Sequence, residues 1–258
     1  MKDSKEYSPK LTKLFRSLKR KYGKADIPTY DDPVQSIVDA LVSENMNQDA
    51  AAKAMKRMKS HFVDLNDVRV CRNEEILEVF RDTSPEAEKS ASAITKTLNT
   101  IFEKYDKVSL DTLGHDGKRQ AKKDLEEVEG LTSFAVSYCF LTALDGHAIP
   151  LNEKMLTYLR DNDLVHPEAS EHDIAGFLER AIAATDAYTF YVALRTEAEA
   201  EADKPKPAAK KKAEPKPAAE KKTKAKKTTT KKKATAKKVT TKKTAAKKKT
   251  TKKTTKKK

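Results

Sequence analysis

The chain has 258 residues, 36% of them charged, and a formal net charge of +15. Two cysteines, Cys71 and Cys139, cannot build a disulfide framework, five scattered histidines have no metal-ligand spacing, and no stretch is apolar enough for a membrane span. The charge is unevenly placed: residues 204–258 hold 26 lysines against Glu214 and Glu220, a net of +24 that leaves −9 on the first 203 residues.

In chain order, the first 203 residues read as helix after helix. Leu11, Leu14, Phe15 and Leu18 recur at helical spacing in a segment, 1–29, that is expected to be an N-terminal helical extension. Asp32-Pro33 is a helix start, with Asp as cap and Pro in the first turn, before the stripe Val34, Ile37, Val38, Leu41 and Val42. A further helix is expected over roughly 48–62. Ser84-Pro85 opens another, with Ile94, Leu98, Ile101, Phe102 and Tyr105 on one face. A helix ends near Glu127, Val128 to Thr132 forms a turn around Gly130, and Ser133 to Leu144 is the next helix. Asp145-Gly146-His147 breaks it, Ala148 to Leu151 is extended, and Asn152-Glu153-Lys154 starts another helix. Ser170 with Asp173 has the pattern of a capping box before the stripe Ile174, Phe177, Leu178, Ala181 and Ile182, and Asp186 is expected to cap the last helix, which carries Tyr188, Tyr191 and Leu194. No period-2 strand is visible and glycine is scarce, so the fold class is all-α.

After Asp203 the texture changes. KPKPAAKKKAEPKPAAEKK leads into Lys-Lys and Thr-Thr repeats with no aromatic residue and Val239 as the one larger apolar side chain. Such a segment cannot bury enough surface to offset the entropy of ordering, so 204–258 is expected to be a disordered arm. Its lysines, among them Lys210, Lys211, Lys212, Lys231, Lys232 and Lys233, are expected to neutralise phosphates and release counterions, which supplies non-specific nucleic-acid affinity. A polylysine arm does not distinguish DNA from RNA, so RNA stays open as a partner. An anionic membrane is disfavoured because the arm has no apolar anchor. The expected location is the cytoplasm on the nucleoid, or the nucleus in a eukaryotic source.

The stretch Lys122–Met155 carries the chemical question. Two helices joined by a tight glycine turn can present backbone N–H groups at a helix start, where the dipole favours a phosphate. The plain alternative is a helix–helix corner with Gly130 as a C-terminal cap. The order of elements resembles the helix-hairpin-helix DNA glycosylase superfamily, of the endonuclease III type. Val128-Glu129-Gly130-Leu131-Thr132 falls on that family's Leu-Pro-Gly-Val-Gly hairpin, and Pro150-Leu151-Asn152-Glu153 on its Val-Asp-Thr-His-like segment. Leu41-Val42-Ser43-Glu44-Asn45 is similar to the family's Leu-Leu-Ser-x-Gln helix end, and Phe80 through Lys89 and Ile94 to the following helix pair. The resemblance spans roughly residues 30–195 and implies a two-lobed helical domain over 30–203.

It also implies roles that this chain only partly fills. The family's lyase lysine falls on Phe134, which has no nucleophile, and its catalytic aspartate falls on Asn152. The second hairpin glycine is Thr132, and the glutamine that fills the gap of a flipped base falls on Asn45. The four-cysteine iron–sulfur loop is missing, so no cofactor or metal is expected. By resemblance, Asn45, Gly130, Leu131, Thr132 and Ser133 are the candidate DNA contacts. Glu153 and Lys154 are the weak candidates for relocated catalysis. The leading expectation is a DNA-binding protein whose endonuclease III-like body has lost its usual catalytic Lys and Asp. The alternatives are an active base-excision glycosylase with rearranged residues and without lyase activity, and an architectural or protein-interaction module.

Overall fold

Capping side chains set most of the helix starts. In a computed structural model, which describes residues 2–204, Asp32 Oδ1 accepts the Val34 N–H at 2.8 Å and Pro33 occupies the first position of its helix. The same carboxylate accepts the Leu110 N–H at 3.1 Å and the Ser109 hydroxyl, which ties a distant loop to this helix start. Ser84, Thr132, Asn152 and Ser170 likewise accept first-turn N–H groups. Among the described residues the secondary structure is entirely helical.

The helices are α1 (Ser4–Tyr22), α2 (Pro33–Asn45), α3 (Gln48–His61), α4 (Leu65–Val70), α5 (Asn73–Phe80) and α6 (Pro85–Tyr105). Then come α7 (Lys118–Glu126), α8 (Ser133–Thr142), α9 (Glu153–Asp161), α10 (Glu171–Ala181) and α11 (Ala187–Ala202), with a 3-10 turn at Ala184–Asp186 before the last. They form two helical groups. The first centres on α2, which packs against α3, α6 and α8, while α4 and α5 close on α6, and α5 also on α3. Val34, Ile37, Val38, Leu41 and Val42 are all buried, each contributing roughly 1.5–3 kcal/mol relative to exposure. The second group holds α1, α9, α10 and α11, and α11 also touches α8. Residues 1–29, set apart in the sequence as an extension, supply α1 to this group, where it packs on α10 and α11.

Three sequence expectations change. Asp186 makes no cap for α11; the 3-10 turn runs directly into the helix, and the Asp186 carboxylate pairs with Lys19 at 2.8 Å. The helix from Ser133 stops at Thr142, two residues short of Leu144. It closes with Asp145 at φ +48° and the Gly146 N–H on the Phe140 carbonyl at 2.7 Å. A Cβ at Gly146 would lie 2.3 Å from the Phe140 ring, so only glycine fits beneath it. Ile182, placed on the stripe of α10, ends that helix in extended conformation yet stays buried. The arm beyond Lys204, with its expected disorder and its candidate lysines Lys210–Lys212 and Lys231–Lys233, lies outside the described residues.

Candidate nucleic-acid interface

The turn between α7 and α8 is a tight hairpin held from below. Val128 is buried, and its carbonyl accepts the Leu131 N–H at 3.2 Å. Gly130 has φ +98°, in the region that glycine alone enters freely. A Cβ there would also meet Thr97 Oγ1 at 2.8 Å and the Thr97 backbone nitrogen at 3.2 Å, so the turn lies directly on α6. Glu129 and Lys96 add an exposed ion pair at 2.7 Å.

The hairpin delivers the chain into α8 through Thr132. Its hydroxyl oxygen accepts the Ala135 N–H at 3.1 Å, and its carbonyl accepts the Val136 N–H at 3.0 Å. The first two N–H groups of α8, from Ser133 and Phe134, have no acceptor among the described residues. They sit at the positive end of the helix dipole, beside a cleft of about 240 Å³ whose lining includes Lys122, Thr132, Ser133 and His172 and also the carboxylates Glu126 and Glu179. Thr132, which stands where the resemblance calls for a second glycine, therefore caps α8.

The Thr132 hydroxyl also donates to Glu44 Oε2 at 2.8 Å, which brings the end of α2 to the hairpin. Sequence reasoning did not single out Glu44. Burial pushes its carboxyl above the ordinary glutamate range, and Glu171 adds to that, while the Thr132 hydrogen bond and Arg195 act in the opposite direction. Asn152 lies on the same wall, 5% exposed. Its Oδ1 accepts the Met155 N–H at 3.0 Å as the cap of α9, and its Nδ2 donates to the Glu44 carbonyl at 3.4 Å. An aspartate would cap α9 as well, but it has no hydrogen to give that carbonyl. The amide thus suits this packing.

Phe134 points into the core. It is 1% exposed, with Tyr138 and Tyr191 rings each 6.2 Å away and the Arg195 guanidinium 6.0 Å from its centroid. Arg195, 2% exposed, reaches from α11 to the end of α2. It donates to Glu199 Oε1 at 2.9 Å, to the Tyr191 hydroxyl at 2.8 Å and to the Met46 carbonyl at 2.9 Å, and also to the Ser43 carbonyl. Glu199 in turn accepts the Gln48 N–H at 3.1 Å. This network, which fixes the corner between α2 and α3, was not found from sequence, although Tyr191, Arg195 and Glu199 stand four residues apart on one helix face.

The remaining candidates are dispersed around this wall. Asn45 is exposed at the end of α2, with Nδ2 on Ser90 Oγ at 3.4 Å. Glu153 is exposed at the start of α9. The Lys154 amine donates to Asn47 Oδ1, which draws it to the corner between α2 and α3. The structure so brings together Thr132, Asn152 and the end of α2, and places Phe134 behind them.

No family model and no curated relative matches the chain. Solved structures do. A non-covalent endonuclease III–DNA complex superposes with a TM-score of 0.58 at 12% identity, over 73% of this chain and 84% of that one. A thermostable thymine-DNA glycosylase gives 0.56 at 8% identity, over 75% and 87%. The 3-methyladenine DNA glycosylase of H. pylori bound to 1,N6-ethenoadenine gives 0.55 at 12% identity, over 76% and 99%. Identities this low establish the architecture: the helical body has the fold of the endonuclease III-like helix-hairpin-helix DNA glycosylases.

Proposed function

We propose that the helical body binds DNA, receiving a backbone phosphate at the start of α8, and forms no covalent bond with the sugar. The observation that carries this reading is the α8 start, where the Gly130 turn leaves the Ser133 and Phe134 N–H groups for an anion. Leu131, Thr132 and Ser133 would flank that phosphate, and Asn45 would approach the duplex from the end of α2. The loss of lyase chemistry is supported by Phe134, a buried aromatic at the position where the family's mechanism needs an amine, and by Asn152, whose side chain is spent on helix capping. The family's iron–sulfur cluster does not fit this chain, because two cysteines cannot supply four thiolates. The lysine arm supplies most of the non-specific affinity, which the −9 body by itself would oppose.

The test compares the full chain with one ended after Asp203, on random duplex and on an abasic-site duplex with borohydride. Affinity of the full chain should fall steeply with salt, truncation should remove most of it, and the shortened chain, freed of the arm lysines that give a slow background of trapping, should not be trapped covalently. A strong adduct with the shortened chain would overturn the reading. If Lys154→Ala then abolished that adduct, Lys154 would be a relocated nucleophile.

Glu44 favours a second reading, release of a base without strand cleavage. A carboxyl beside the hairpin whose pKa burial raises holds its proton more tightly than an ordinary glutamate, which suits it to donate that proton to a leaving base. Base release from damaged duplex that vanishes in Glu44→Gln, while duplex binding persists, would establish it.

A further inference from the structure

The charge of the helical body is segregated. Residues 1–22 hold eight lysines and arginines against Asp3 and Glu6, a net of +6, which leaves −15 on residues 23–203. At 100° per residue, α1 divides into two opposed faces. Tyr7, Leu11 and Leu18 are buried, and Leu14, Phe15 and Tyr22 pack against the core beside them. On the far side, Lys5, Arg16, Arg20 and Lys13 fall within an arc of about 80°.

The cations of α1 behave in two ways. Those on the flanks are neutralised by the second helical group: Lys10 by Asp163 at 2.6 Å, Lys19 by Asp186 at 2.8 Å and Lys21 by Glu197 at 2.6 Å. Lys5, Lys13, Arg16 and Arg20 are exposed and make no ion pair among the described residues. Lys13, Arg16 and Arg20 line an open groove of about 600 Å³ together with Ser8, Thr12 and Ser17, and no carboxylate enters that lining. A helix face that served only to keep the protein soluble would mix both signs. This one keeps positive charge uncompensated over about 22 Å of helix axis, from Lys5 to Arg20.

We infer that the outer face of α1 is a second phosphate-backbone contact, separate from the hairpin, and that its partner is duplex DNA. Along one strand, 22 Å covers about six phosphates at 3.4 Å each, so a run of cations this long meets several of them. Guanidinium groups at positions 16 and 20 suit phosphate oxygens through paired N–H donors, and the hydroxyls of the groove add neutral donors. A membrane surface fits less well, because the apolar face of α1 is already consumed by α10 and α11 and none is left to insert.

The test uses the full-length chain with Lys13→Ala, Arg16→Ala and Arg20→Ala combined. These are exposed helix positions where alanine is a good helix former, so the fold is retained. Duplex affinity is measured over a salt series for this variant and the parent, which share the hairpin and the arm, so failure of the hairpin reading leaves the comparison valid. The log–log salt slope should fall by up to about 2.7, at about 0.9 for each phosphate that is no longer neutralised. Lys13→Arg alone should keep the parent slope. An unchanged slope in the triple variant overturns the inference. So does a variant that loses binding to polyglutamate or to phosphatidylserine vesicles while its duplex slope stays intact, since that result assigns the face to an acidic protein or a lipid surface.

Discussion

Helices α1 and α8 meet solvent in opposite ways. α8 has eight of its ten residues buried and offers only its N-terminal end, where backbone N–H groups emerge from a turn fixed on α6. α1 buries three of nineteen and offers its whole outer side, where long cationic side chains stand free. A helix end inside a packed core binds through geometry that packing holds in place; a helix side binds through charge, which tolerates sequence change but is screened by salt. Damage to α8 should therefore appear as reduced stability, and damage to α1 as reduced salt dependence with stability intact.

The largest expected effect follows from a lysine at position 134, where the resemblance puts the glycosylases' lyase lysine. Phe134→Lys would place an ammonium among Tyr138, Tyr191 and Arg195, and should cost about 4–5 kcal/mol or unfold the body, without creating lyase activity. Denaturant unfolding with borohydride trapping checks both parts; a stable, trappable variant would show that position 134 faces the cleft at the start of α8. Next is Gly130→Val, at about 3 kcal/mol, from the positive φ and the collision with Thr97. A shift of the unfolding midpoint much smaller than that would mean the hairpin is not fixed on α6.

Asn152→Asp keeps the α9 cap and loses the bond to the Glu44 carbonyl, which should cost about 1–2 kcal/mol by thermal or denaturant unfolding. The Glu44 effect has a defined sign. Its folded-state pKa lies above the ordinary 4.5, so the folded protein holds the proton more tightly than the unfolded chain. Its contribution to stability is fully present below 4.5 and is lost as pH rises through the folded value. Glu44→Gln should remove that decline, and parallel stability–pH curves for parent and variant would refute the assignment. The smallest effect is Lys96→Ala, which removes an exposed ion pair and should leave the unfolding midpoint unchanged within error.

Elements whose signals are local could be read from sequence. Asp32-Pro33, Ser84-Pro85 and Ser170 mark helix starts because a cap bonds an N–H two or three residues ahead, and the α2 stripe is legible because its repeat reports one buried face. Gly130 was legible as a turn residue, since φ above zero is a property of the residue itself. The short helices α4 and α5 were not, because six or eight residues hold too few turns to show a period. Asp186 had the right residue type for a cap, but the 3-10 turn fixed its backbone in helical conformation and Lys19, far away in sequence, took its carboxylate. The charge asymmetry of the chain, the all-helical class and the hairpin were thus determined by sequence alone. Tertiary structure decided that Thr132 and Asn152 converge on Glu44, that Phe134 turns inward, and that the outer cations of α1 stay unpaired while its flanking lysines do not. Each of those depends on which groups meet across long stretches of chain, 88 residues for Thr132 and Glu44, a distance over which no local preference acts.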